Sequence, residues 1–249
     1  MTGRPLSLGV LGGMGPAATA EFLRLLAARA PAATDQEHPR ILLLSEPSIP
    51  DRTKALLTGD DAPLSLLHDG LLTLADWGAE IVAVPCNTAH VWLDRIRAEL
   101  PVPLVHIVEA TLRATGAASP GGAWLAATTG TVASGIYQRC ARASGYRLAV
   151  PDDALQRRIH AAATLVKANR VPEAAESFRS VVLELRRRER IPVVTACTEL
   201  PIAYAAAGLP PGDEVSSVAA LATACTEALY RPGRQAGRVA ATGSLEGAP

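Results

Sequence analysis

Short apolar runs that alternate with longer mixed stretches are the feature that most constrains the fold of this chain. The runs are rich in Leu, Val, Ile and Ala, and the stretches between them are long enough for helices. The runs cover residues 6–11, 41–44, 81–84, 104–108, 123–127, 148–150 and 193–195. This alternation is typical of parallel sheets joined by crossover helices, so the sequence predicts an α/β fold.

The two halves of the chain resemble each other. LGVLGGMGPAATAEF from Leu8 aligns without gaps with AWLAATTGTVASGIY from Ala123, and the Gly/Pro-rich residues 116–122 lie between the halves as a predicted linker. We therefore predict two pseudo-symmetric lobes, each a parallel sheet flanked by helices, with the active site in the cleft between them. The predicted first lobe comprises residues 1–115 and 206–230, and the second comprises residues 116–205. Residues 231–249 lack apolar periodicity, and we expect a disordered tail there.

Composition narrows the class of ligand. The 249 residues are 49% hydrophobic, enough for a substantial core, and 24 Lys and Arg balance 24 Asp and Glu at a pI near 7.0. Such a chain has no overall field that would attract nucleic acid or an anionic membrane, so a small-molecule ligand is favoured. No secretion signal or membrane span is evident, and the four cysteines are widely separated. We expect a cytoplasmic protein with reduced thiols.

A cysteine follows a predicted strand once in each half. PCNTAH (residues 85–90) follows the run 81–84, and ACTELP (residues 196–201) follows the run 193–195. Each cysteine is followed by polar residues suited to starting a helix. Because ligands of open α/β sheets bind beyond the carboxyl ends of the strands, we expect Cys86 and Cys197 on opposite walls of one cleft.

Two facing thiols suggest proton transfer from both sides of one carbon. A thiol has an ordinary pKa of about 8.5, and a place at a helix N-terminus lowers it. One thiolate would remove a proton from a carbon while the other thiol delivers one to the opposite face, which inverts the stereocentre. Cys140 and Cys225 lie in helical stretches, and we expect them to serve only in packing.

At these motifs the chain resembles the aspartate/glutamate racemase superfamily, and within it the cofactor-independent aspartate racemase branch. The resemblance covers nearly all of residues 6–230. It is carried by GGMGP (12–16), PSIPDRT (47–53), PCNTAH (85–90), ATTGT (127–131) and CTELP (197–201). At the last motif, glutamate racemases have a sequence similar to CTHYP, whereas this chain has CTELP.

The resemblance implies Cys86 and Cys197 as the catalytic acid/base thiols, Arg52 and Lys167 as substrate anchors, no cofactor, no metal, and a homodimer. A dicarboxylic amino acid needs cations for its carboxylates, which agrees with this assignment. The other expected binding residues are Met14, Asn87, Thr88, Thr128, Thr131, Thr198 and Glu199. The chain departs from the family pattern at residues 212–217 and directly after Lys167, which leaves the exact amino acid open.

Other functions remain alternatives at this point. On the same scaffold these are a racemase of glutamate or another amino acid, and a relative like maleate isomerase or a decarboxylase. Gly13-x-Gly15-x-x-Ala18 satisfies a relaxed dinucleotide pattern and would suit an NAD-dependent oxidoreductase, although Pro16 interrupts it. Cys86, His90 and Cys197 would be candidate zinc ligands. A non-catalytic ligand-binding protein is the remaining class.

Overall fold

The computed structural model describes residues 4–231, which form two parallel four-stranded sheets. The strands are β1 (Leu8–Gly12), β2 (Ile41–Ser45), β3 (Ile81–Ala83), β4 (Leu104–Val105), β5 (Ala123–Ala127), β6 (Leu148–Ala149), β7 (Val193–Ala196) and β8 (Glu214–Ser216). Their order is β2-β1-β3-β4 in the first sheet and β6-β5-β7-β8 in the second. Because the two orders correspond strand for strand, the predicted α/β fold with two similar halves is confirmed.

Eleven α-helices of the described residues connect and cover these strands. They are α1 (Pro16–Arg29), α2 (Arg52–Thr58), α3 (Ala62–Asp76), α4 (His90–Ile96), α5 (Ile107–Ala118), α6 (Thr129–Ser134), α7 (Ile136–Ala143), α8 (Asp153–Lys167), α9 (Val171–Arg188), α10 (Leu200–Ala206) and α11 (Ser217–Leu229). Single 3-10 turns lie at Asp35–Glu37 and Pro211–Asp213. None of the helices within residues 4–231 has both the length and the apolar character needed to span a bilayer.

The core has three layers of buried side chains. Strand residues alternate between the faces of each sheet, so Val10 of β1 and Val194 of β7 point into a central layer while Leu11 and Val193 point into outer layers. Helices α5 and α11 lie in the central layer, where α5 contacts the second sheet and α11 contacts both sheets. Helices α3 and α4 cover the outer face of the first sheet, and α8 to α10 cover that of the second.

Side-chain caps fix several helix starts. Asp152 accepts a hydrogen bond from Leu155 N at the start of α8, and Ser216 accepts one from Ala219 N at the start of α11. His106 accepts from Glu109 N at the start of α5. The predicted strand over residues 104–108 is therefore too long, because the chain turns into a helix after His106.

The course of the chain after residue 205 differs from the predicted lobe boundaries. The predicted first lobe includes residues 206–230; of these, β8 pairs with β7 of the second sheet, whereas α11 packs against α1 and α5 of the first lobe. The predicted linker at residues 116–122 also begins later, because α5 continues to Ala118. From residue 232 onward, the predicted tail lies outside the described residues.

Candidate active site

The carboxyl ends of the two sheets surround one small cavity. Every predicted site residue except Thr131 lines it, and Thr131 hydrogen-bonds to two residues that do. The lining residues are Met14, Asp51, Arg52, Thr53, Cys86, Asn87, Thr88, Thr128, Lys167, Cys197, Thr198 and Glu199. Asp51 and Thr53 were not predicted, although both flank Arg52 in the motif PDRT. The structure thus gathers residues from both halves of the sequence at one place.

Cys86 lies between β3 and α4 and is 6% exposed. The helix begins only at His90, so Cys86 is separated from it by a turn and does not occupy the predicted helix N-terminus. Its carbonyl oxygen accepts from His90 Nδ1 at 2.9 Å, and Ile107 N donates to the other ring nitrogen, Nε2, at 3.3 Å. Both nitrogens of His90 are therefore used inside the protein, and burial holds its pKa well below the ordinary value.

This arrangement does not fit the alternative zinc site of Cys86, His90 and Cys197. A neutral histidine can offer a metal only a ring nitrogen that is free of other bonds. Within residues 4–231, no cluster of three or more His, Cys, Asp or Glu side chains has the arrangement of a metal site.

Cys197 lies in the equivalent place after β7 and is 5% exposed. Its Sγ–H donates to Glu199 Oε2 at 3.1 Å. Burial and the negative charge of Glu199 raise the pKa of Cys197 well above its ordinary value. The predicted lowering at this thiol is therefore wrong, since α10 starts only at Leu200 and a carboxylate lies nearer than the helix.

Glu199 joins the two lobes. It is 2% exposed, and its Oε1 accepts from Gly15 N of the first lobe at 3.1 Å. Its Oε2 is also 3.3 Å from the Thr198 hydroxyl, which lies at the same distance from Pro85 O. The second cysteine motif thus holds the loop after β1 against the second sheet.

The glycine loop after β1 uses its backbone donors within the protein. Gly13 N donates to Thr19 Oγ1 at 3.0 Å, and Gly15 N donates to Glu199. Gly13 has φ +88°, and a Cβ atom there would come within 2.6 Å of Glu46 N. This loop therefore serves close packing, and two of the N–H groups that a dinucleotide pyrophosphate would need are already bonded.

Arg52 is 9% exposed, and protein carbonyls hold its guanidinium. Nη1 donates to Ile49 O at 2.8 Å and to Pro50 O at 3.0 Å, while Nη2 lies 3.4 Å from Met14 O. Within residues 4–231, Nε has no hydrogen-bond partner. The Nε–H and one Nη2–H group therefore remain as a fork, which matches the two oxygens of a carboxylate.

Two further charged groups line the cavity. Burial would lower the pKa of Lys167, the last residue of α8, but the negative charge of Glu199, and that of Cys197 and Cys86 when they are ionised, outweigh burial and raise it. Burial would raise the pKa of Asp51, but Lys54 N and the positive charges of Lys167 and Arg52 lower it. Both residues are therefore charged at neutral pH.

Hydroxyl and amide groups complete the wall beside Cys86. The hydroxyls of Thr88, Thr128 and Thr131 form a closed ring with oxygen separations of 3.1, 2.7 and 2.9 Å. Asn87 Oδ1 accepts from the Tyr137 hydroxyl at 2.6 Å, and Asn87 Nδ2 donates to Ser217 Oγ at 3.0 Å. The contributions of Tyr137 and Ser217 were not predicted, because neither residue belongs to a motif near the cysteines.

Comparisons with known proteins identify relatives of the whole chain. A sequence model of the family described as Asp/Glu/Hydantoin racemase matches residues 11–225. The broad specificity amino-acid racemase RacX of Bacillus subtilis (strain 168) is 27% identical over 197 residues, which are 78% of this chain and 85% of the relative. The structure of Picrophilus torridus aspartate racemase matches with a TM-score of 0.77 and 29% identity, over 90% of this chain and 94% of that one. An aspartate racemase homologue of Pyrococcus horikoshii OT3 shares the fold, with a TM-score of 0.67 and 22% identity over 89% and 97% of the two chains.

Proposed function

Because the chain belongs to the Asp/Glu/Hydantoin racemase family, we propose that it is a cofactor-independent racemase that interconverts L- and D-aspartate. The family predicted from the motifs is confirmed by the match over residues 11–225. One observation carries the proposed mechanism. Cys86 and Cys197 follow corresponding strands of two similar sheets and line the same cavity.

In the proposed reaction, the two thiols work as a base and an acid on one α-carbon. The thiolate of one cysteine removes the α-proton, and the electron pair of the broken C–H bond stays on the substrate. The thiol of the other cysteine gives its proton to the opposite face of that carbon. The reverse reaction exchanges the two roles.

The charged groups of the cavity support the binding of an amino-acid dicarboxylate. Lys167 would stabilise the negative charge that develops on the α-carboxylate as the α-proton leaves. The Nε–H and Nη2–H fork of Arg52 would hold the side-chain carboxylate. Met14, Asn87, Thr88, Thr128, Thr131 and Thr198 would contact or support the bound substrate.

Aspartate is the proposed substrate because the motif CTELP and the Arg52 fork favour a dicarboxylic acid of the aspartate racemase type. The similar protein of Picrophilus torridus is named an aspartate racemase. A racemase of several amino acids is the second candidate, because the Bacillus subtilis relative is named a broad specificity amino-acid racemase. The two candidates differ in how strongly the side-chain carboxylate is required.

The test is incubation of the protein with L- and D-amino acids in D2O, without pyridoxal phosphate, while α-deuteration and optical activity are followed together. We expect aspartate to be deuterated and racemised faster than neutral amino acids. Cys86→Ala and Cys197→Ala should each abolish racemisation while circular dichroism stays native. Wild-type rates in both variants would refute the two-thiol mechanism.

A cytoplasmic location and a homodimer remain predictions for this protein. Light scattering coupled to size-exclusion chromatography would test the oligomeric state.

A further inference from the structure

The two thiols occupy equivalent positions, but their neighbours differ in charge. When Cys86 is aligned with Cys197, the hydroxyl of Thr88 corresponds to the carboxylate of Glu199. We propose that Glu199 is a positioning residue that keeps the proton on Cys197 in the free protein, so that Cys86 is the sulfur that first acts as a base. This inference rests on the proposed two-thiol function and specifies which of its two protonation forms is the resting one.

The hydrogen bonds of Glu199 support this assignment. Both of its oxygens face donors, since Oε1 accepts from Gly15 N and Oε2 accepts from Cys197 Sγ and lies near the Thr198 hydroxyl. The bond from Cys197 requires a proton on sulfur, because a thiolate has none to donate. Ionised Cys197 would instead place a second negative charge 3.1 Å from the carboxylate in a buried site. The geometry therefore favours the thiol form of Cys197.

In the first half of the chain, Thr88 takes the position of Glu199 and has no carboxylate. Its hydroxyl is 3.1 Å from that of Thr128 and 2.7 Å from that of Thr131, and it carries no charge. The pseudo-symmetric halves thus differ at the position that sets the charge beside each sulfur.

Charged groups on other elements also act on Cys197. Lys167 on α8 favours the thiolate, but burial and Glu199 outweigh it, and the pKa of Cys197 stays raised. Arg52 and Asp51 at the start of α2 carry opposite charges and line the same cavity. The phenol of Tyr137 on α7 is uncharged, because burial raises its pKa.

The proton balance of one turnover shows what this asymmetry does. The Cys86 thiolate takes the α-proton and forms an S–H bond, while Cys197 gives up its proton and keeps the electron pair of its S–H bond. Once the product has formed, Cys197 is a thiolate beside the Glu199 carboxylate. A proton must therefore pass from Cys86 to Cys197, through solvent, before the next turnover in the same direction. The equilibrium constant between mirror images requires equal kcat/KM in both directions at every pH, so titration of the thiols tests the inference more directly than steady-state rates.

The experiment is site-resolved alkylation of the full chain without substrate. Short pulses of iodoacetamide are given across a range of pH, and the peptides that contain Cys86 and Cys197 are quantified separately by mass spectrometry. We expect Cys86 to react at lower pH than Cys197. Glu199→Gln should move the midpoint for Cys197 down by about one pH unit or more, because it removes the adjacent charge. Glu214→Gln removes a half-buried carboxylate elsewhere in the second sheet and should leave that midpoint unchanged.

Two results would overturn the inference: Cys197 reacting at or below the pH at which Cys86 reacts, or an unchanged Cys197 midpoint in Glu199→Gln. If circular dichroism shows that Glu199→Gln is unfolded, two other measurements decide the question. They are the order in which the two thiols react with rising pH in the native protein, and the Cys197 midpoint in Glu199→Asp. We expect Glu199→Asp to shift the midpoint in the same direction by a smaller amount. Alkylation requires no turnover, so it tests the titration of the thiols independently of catalysis. If the thiols react in the expected order but the protein does not racemise amino acids, the proposed function is wrong and the titration result still stands.

Discussion

The hydrogen bonds of Arg52 within the protein fix its guanidinium and leave two N–H groups available to bind a carboxylate. Three carbonyls fix its guanidinium, and the remaining fork matches one carboxylate. We expect Arg52→Lys to raise the KM for aspartate about 10-fold or more and to change the KM for alanine much less, because an ammonium group keeps the charge but not the fork.

Steady-state kinetics with both amino acids would check this prediction, with the exposed Arg40→Lys as the matched control. An equal change in KM for aspartate and alanine would place Arg52 outside the side-chain site.

Glu214 makes stability depend on pH. Burial raises its pKa from 4.5 to about 7, against the opposing hydrogen bond from Thr195 Oγ1. The folded protein therefore favours the protonated carboxyl. This contribution to stability is fully present below pH 4.5 and is lost as pH rises to about 7. One pKa unit corresponds to about 1.4 kcal/mol, so the loss is on the order of 3 kcal/mol.

Glu214→Gln should remove this part of the pH dependence, because its amide does not ionise. Urea unfolding at several pH values would show it as a free energy of unfolding that falls less steeply than in the native protein. Parallel curves for the two proteins would contradict the prediction.

The pKa of Cys197 illustrates what sequence alone does not reveal about single residues. The motif ACTELP predicts a cysteine beyond a strand end, and the structure has one there. The direction of its pKa shift depends on burial and on the rotamer that brings Glu199 to 3.1 Å from sulfur. Neither quantity is encoded in the spacing of the motif.

At the scale of secondary-structure elements, α2 and α6 meet across the cleft. A Cβ atom on Gly130 of α6 would come within 2.8 Å of Thr53 Cα on α2. We expect Gly130→Ala to displace α2, and Arg52 with it, and to lower kcat/KM for aspartate about 10-fold. The same clash should cost about 1–3 kcal/mol of stability.

Gly116→Ala is the matched control, because Gly116 lies in α5 and a Cβ atom there would meet nothing within 4 Å. It should keep full activity and stabilise the protein by about 0.5–1 kcal/mol. Racemase assays and thermal unfolding of both variants would check these outcomes. Wild-type kinetics in Gly130→Ala would show that the α2–α6 contact does not control the site.

The elements differ in how far sequence predicts them. Strands with several consecutive apolar residues, such as β1 and β5, were located because their pattern is local. Strand β8 was missed, because Val215 is its only apolar residue and the strand exists through its pairing with β7. The contact of Tyr137 and Ser217 with Asn87 was missed for a related reason, since it depends on the packing of α7 and α11 around the site.

At the scale of the whole molecule, the lobes share one core layer. The central layer contains Val10 of the first sheet, Val194 of the second, and buried residues of α5 and α11 between them. We therefore expect the lobes to unfold together in one cooperative transition.

Single-tryptophan variants would test this prediction. Trp92 lies in the outer layer of the first lobe, and Trp124 lies on β5 of the second. With the other tryptophans changed to Phe, the fluorescence of each should report the same urea midpoint. Separate midpoints for the two lobes would contradict a shared core.

The two sheets have matching strand orders, yet the surroundings of their two cysteine sulfurs differ in charge. Two identical half-length subunits around an axis would give both sulfurs the same surroundings, and nothing in such an assembly would decide which one keeps the proton. Carrying both halves on one polypeptide lifts that restriction. Thr88 and Glu199 can then differ while the backbone around them stays alike, so the covalent join allows a nearly symmetric scaffold to perform a reaction whose acid and base must differ.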